Sequence, residues 1–110
     1  MTLVVILTVR AGAAAAFRAY EQAAAAIMAR HGGAIDRVVV IPPDADDAGG
    51  LPREVHLVRF PSAQALADYR NDPALAALAP DREHAIARTE ILVGEEAPPH
   101  GTPSATSWKT

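Results

Sequence analysis

A chain of 110 residues with a net charge of -3 and no cysteine has the length of one domain and is too short for two. Without cysteine there are no disulfide staples and no thiolate chemistry, and nine arginines scattered among 13 carboxylates build no basic field, so nucleic acid is excluded as an expected partner. Half the residues are apolar, but 25 are alanine and only five are aromatic, so burial comes in small contributions and the thin core favours closure against a partner.

Residues 3–9 are Val, Leu and Ile-rich and end at Arg10, which predicts a first strand. The run has no basic residue ahead of it and is short for a signal peptide. No apolar stretch approaches the ~20 residues of a membrane span, so the expectation is a cytoplasmic protein with no membrane partner. Residues 13–31 predict a helix: Phe17, Tyr20, Ala24, Ile27 and His31 recur at three- and four-residue intervals and form one stripe along an alanine-rich cylinder. Gly32 or Gly33 can close it in the left-handed conformation. Residues 34–41 follow as a second strand, β-branched through Val38, Val39, Val40 and Ile41, and Pro42 and Pro43 stop it. The acidic, proline-bounded stretch 42–52 reads as a solvent loop.

Residues 53–60 predict a third strand with His56, Val58 and Phe60 on one face and Val55, Leu57 and Arg59 on the other. The next helix reads in two pieces. Ser62 caps the first, Asp72 followed by Pro73 starts the second, Leu66, Leu75 and Leu78 supply the buried side, and Pro80 ends or bends it. Residues 88–94 predict strand four. From Glu95 onward periodicity disappears and Pro, Ser and Thr accumulate, which divides the chain into a domain over 1–95 and a flexible tail over 96–110. Trp108 is the one residue in that tail suited to anchor it.

The order strand, helix, strand, strand, helix, strand is the split β-α-β arrangement. It predicts an α+β, ferredoxin-like fold, β-α-β-β-α-β, with a four-stranded antiparallel sheet and two helices on one face. Val55 and Leu57 then lie on the uncovered face, and a two-fold homodimer is the commonest way to remove such area from water. Arg59 shares that face and becomes an interface candidate, pairing with a carboxylate such as Glu90 or Glu54 to set register. Arg88 is read in the same way.

Phe17, Tyr20, Glu21, Ile27 and the closing His31-Gly32-Gly33, together with Phe60-Pro61-Ser62, Tyr69, Asp72-Pro73 and Leu92-Val93-Gly94, resemble the dimeric α/β-barrel superfamily. The likeness is to its small domains of unknown function, relatives of the antibiotic-biosynthesis monooxygenases, and covers about residues 2–95. The resemblance implies a dimeric α/β barrel with a ligand cavity between helices and sheet. Oxygenases of the superfamily combine Asn, Trp and His, whereas the single tryptophan of this chain is Trp108 in the tail.

His31, His56, His84 and His100 are widely spaced, with no pair at helical i, i+4 spacing, so no metal site is expected. His31 reads as a helix C-terminal residue whose imidazole sits near unpaired carbonyls. His84 belongs to the polar stretch Asp81-Arg82-Glu83, most simply a solvated helix end. If the implied cavity carries over, His56 and Tyr20 face each other across it and Tyr69 approaches from the second helix. A neutral histidine and a phenol there can move a proton to or from an enol or phenol. The alternative is a buried histidine hydrogen-bonded to a tyrosine hydroxyl, with no further role. No phosphate loop, dinucleotide fingerprint or nucleophile elbow is present, so no cofactor is expected. The resulting expectation is a homodimer that binds a small organic molecule, or converts it without a cofactor. The alternative is a non-catalytic dimeric binding or assembly module.

Overall fold

Alanine's high helix propensity and two glycine boundaries define the first helix. The computed structural model describes residues 1–43 and 50–101; most of the predicted acidic loop and the Trp108 anchor lie outside the described residues. In chain order the elements are β1 (Thr2–Val9), α1 (Ala14–Arg30), β2 (Ala34–Ile41), β3 (Arg53–Arg59), α2 (Ala63–Arg70), α3 (Pro73–Ala76), α4 (Ala79–Ala85) and β4 (Ile86–Gly94). The sheet order is β2-β3-β1-β4, antiparallel at each of its three junctions. The predicted α+β, ferredoxin-like arrangement is therefore the observed one. No helix among the described residues is long and apolar enough to cross a membrane.

The end of α1 is specified by geometry as well as composition. Gly32 has φ +76°, its N–H bonds the carbonyl of Ala29, and the N–H of Gly33 bonds that of Met28. These two bonds satisfy carbonyls the helix would otherwise leave open. Gly33 serves packing: a Cβ there would come within 2.6 Å of Met28 Cγ and of Phe60 Cε1. The predicted stripe is buried through Phe17, Tyr20, Ala24 and Ile27, with Met28 added.

The second helical region differs from expectation in its number of pieces. Ser62 Oγ accepts from the Ala65 N–H at 3.1 Å and Asp72 Oδ1 from the Ala74 N–H at 2.8 Å, so both predicted starts stand. Pro80, expected to end or bend the helix, instead lies in the first turn of a third piece, α4. Proline has no N–H to lose there, and its fixed φ suits a first turn. This turn carries Arg82 inward, where the sequence had suggested a solvated run.

Leu3, Leu7 and Val9 of β1 face the helices, as do His56 and Val58 of β3. Two clusters form the core. One joins Leu7, Val9, Phe17, Tyr20, Ala85 and Ile86; the other joins Leu3, Met28, Val58, Phe60 and Leu66. Phe60 is 1% exposed, and burial of such a ring contributes up to ~3 kcal/mol. Val5 packs against both clusters, which places it at the junction between them.

The other sheet face carries Val4, Ile6, Val39, Val55, Leu57 and Leu92 by register and alternation. No described helix covers it, and Leu92 and Val39 are 61% and 54% exposed. Arg59 departs from its expected pairing. A register irregularity between Ile35 and Arg37 presents Asp36 to it, and the guanidinium donates from Nε and Nη2 to both carboxylate oxygens at 2.8 and 2.9 Å. Glu90 pairs instead with Arg88 at 3.3 Å, and Glu54 turns to His56 on the helix-facing side. An irregularity in a ladder re-aims a side chain in this way.

Candidate functional site

Between the two core clusters lies a cavity of about 220 Å³ whose apolar wall includes Leu3, Val5, Ala24, Met28, Val58 and Phe60. The space follows from composition: Ala24 and Ala25 on α1 leave room that larger side chains would fill. Tyr20, His56 and Tyr69, the three candidates from the sequence, all line it. They arrive from different elements, α1, β3 and α2.

His56 is 4% exposed, and its partners are carboxylates, not the tyrosine hydroxyl of the alternative reading. Nε2 lies 2.9 Å from Glu54 Oε1, and Nδ1 lies 3.5 Å from Glu21 Oε1. An ionised carboxylate only accepts, so in the neutral ring the shorter contact puts the proton on Nε2, donating to Glu54, and leaves the Nδ1 lone pair toward Glu21. Burial pushes the Glu21 carboxyl above its ordinary range, and nearby Glu54 adds to the rise, while His56 and Arg82 pull it back. The result is a buried imidazole between two carboxyl groups, one of which lines the cavity.

Burial also shapes the two phenols. Burial raises Tyr20, against a lowering influence from Arg82, and pushes Tyr69 up to about 12. Both rings therefore remain neutral hydroxyl donors near neutral pH. Tyr69 is fixed by ring contacts, 5.5 Å to Phe60 and 6.3 Å edge-on to His31 between centroids.

His31 occupies the C-cap of α1 as expected, but its imidazole does not rest on carbonyls. Nε2 lies 2.8 Å from Asp72 Oδ2, joining the end of α1 to the start of α3. His84 is exposed on α4. Among the described residues no group of three or more His, Cys, Asp or Glu is arranged to hold a metal ion.

Three residues of this site escaped the sequence reading. Glu54 had a usable signal, because it stands two residues before His56 and strand alternation puts both on one face. Glu21 stands on α1 at the margin of the apolar stripe, four residues after Phe17 and three before Ala24, so helical spacing alone sets it beside the buried face that the cavity meets. Arg82 was concealed by reading Pro80 as a terminator.

The fold recurs in solved structures at low identity. SnoaB, a cofactor-independent oxygenase from Streptomyces nogalater, is similar at 19% identity and TM-score 0.58, with 89% of this chain and 95% of that chain covered. Atu4242 from Agrobacterium tumefaciens is similar at 19% and 0.62, covering 93% and 96%. A Nitrosomonas europaea protein, proposed to be an antibiotic biosynthesis monooxygenase, is similar at 17% and 0.56, covering 84% and 96%. Likeness at this identity establishes a common fold and leaves chemistry to the residues. No curated protein matches the sequence. Residues 3–95 match the domain of unknown function DUF1330, so the chain belongs to the DUF1330 family, whose structural neighbours include monooxygenase-like proteins of the same ferredoxin-like fold.

Proposed function

We propose that the protein binds a small, mostly apolar organic molecule in this cavity and moves a proton to or from it, as a homodimer closed over the open sheet face. The observation that carries the reading is the buried His56 held between Glu54 and Glu21 at the wall of an apolar cavity. A volume of about 220 Å³ is below the ~300–1,000 Å³ of drug-sized sites and suits one or two rings. Glu21 in its ionised form takes a proton from an enolisable carbon or a phenol and shares it with Nδ1 of His56. Glu54 then stabilises the imidazolium through Nε2–H, and the proton returns by the same route. Tyr20 and Tyr69 donate hydrogen bonds that orient the ligand. SnoaB, named a cofactor-independent oxygenase, supports the idea that this fold can act with side chains alone.

The test is deuterium exchange at the acidic methylene of 2-tetralone in D2O, followed by proton NMR. The protein accelerates loss of that signal over buffer, and His56→Gln lowers the acceleration about 100-fold or more, the usual worth of a positioned acid or base. If 2-tetralone binds and exchanges only at the buffer rate, the relay is refuted. A second reading, a non-catalytic dimeric binding or assembly module, is favoured by the apolar patch of Val4, Ile6, Val39, Val55, Leu57 and Leu92. It predicts dimerisation and ligand binding without exchange.

A further inference from the structure

Arg82 is half-buried on α4 and lines the cavity beside Tyr20, Glu21 and Thr89. Its Nη2 donates to Thr89 Oγ1, and its charge works against the burial that raises the nearby Tyr20 hydroxyl. Among the described residues no carboxylate lies within ion-pair distance of it. A guanidinium withdrawn from water beside an apolar space is costly unless an anion meets it, and its planar fork matches a planar oxyanion. The neutral Thr89 hydroxyl holds the group in place without discharging it, and Glu21 acts on it only from beyond ion-pair distance.

From this we infer that Arg82 is the anchor for an anionic oxygen, so that the cavity's ligand is a planar organic anion: an apolar ring system bearing a carboxylate or an ionised hydroxyl. The inference rests on the cavity being a ligand site and names the class of ligand it takes. The formal charges of the wall agree with it, since Arg70 at the rim and Arg82 within stand against Glu21 alone. Glu21 does not oppose the anion at full strength. Burial raises its proton affinity, and the proton it takes from the ligand cancels its charge beside the anion.

Calorimetric titration of the full chain at neutral pH with three probes tests the assignment: 1-naphthoate, 2,4-dinitrophenolate and the neutral naphthalene-1-methanol. At least one anion binds about tenfold or more tightly than the alcohol, the margin of one charge-assisted hydrogen-bonded contact. Preference for the naphthoate identifies a carboxylate anchor, and preference for the phenolate an ionised hydroxyl. Arg82→Gln removes the preference while the alcohol still binds, and Arg82→Lys, which keeps the charge but not the fork, retains part of it. Should the Gln variant misfold, the wild-type comparison and the Lys variant decide. Equal affinity for anions and alcohol, binding of none of the three, or full preference in Arg82→Gln overturns the assignment. A protein that prefers an anion yet exchanges no deuterium refutes the relay alone. One that exchanges deuterium without the preference refutes the anchor alone.

Discussion

Asp72 shows how much one side chain can join. Its Oδ1 caps α3 at Ala74, and its Oδ2 meets His31 at the end of α1. The His31 hydrogen bond, and after it the Ala74 N–H, hold its carboxyl below the ordinary 3.8. The folded protein therefore binds this proton less readily than the unfolded chain. The stabilisation is present above the ordinary value and is lost as pH falls through the depressed one. Asp72→Asn should melt at a lower temperature than wild type at neutral pH, with the gap closing in acid below the carboxylate range. Thermal unfolding followed by circular dichroism measures it, and a gap unchanged by acid contradicts the linkage. The cap was legible, because Asp-Pro is a local start signal. The His31 contact was not, since it spans 41 residues and depends on how two helices are placed.

At the level of elements, the turn from α1 into β2 is the tightest constraint. Gly33 is buried where Met28 and Phe60 leave no room for a methyl group, so Gly33→Ala should cost ~1–3 kcal/mol through overpacking. Urea denaturation with an unchanged slope checks it, and a cost below ~0.5 kcal/mol would show that the neighbours shift freely. Sequence identified the turn and its glycines but not this role, because helix closure is local and the approach of Phe60 is not. The same distinction explains Pro80. Its effect on a helix depends on whether it falls in a first turn or an interior one, and only the break after Ala76 reveals which. That break brings Arg82 to the cavity.

For the whole molecule, the open sheet face remains the main energetic question. Val55 and Leu57 share it with Val4, Ile6, Val39 and Leu92, while Arg59 is held at its edge by Asp36 and is exposed enough that the pair adds little stability. Leu57→Asp puts a charge into the proposed interface and should weaken the homodimer about tenfold or more. Sedimentation at micromolar concentration measures this, and a wild-type monomer there contradicts the dimer. The sequence by itself determined the order of elements, the alternation of β3 and the end of α1, because these depend on propensity, period and capping between near neighbours. It also brought Tyr20, His56 and Tyr69 forward as candidates, through patterning joined to a family resemblance. Only the tertiary structure decided which groups surround them. Glu54, Glu21 and Arg82 acquire their roles from burial and from distances across β3, α1 and α4, and the electrostatics of a cavity do not exist until its walls have met.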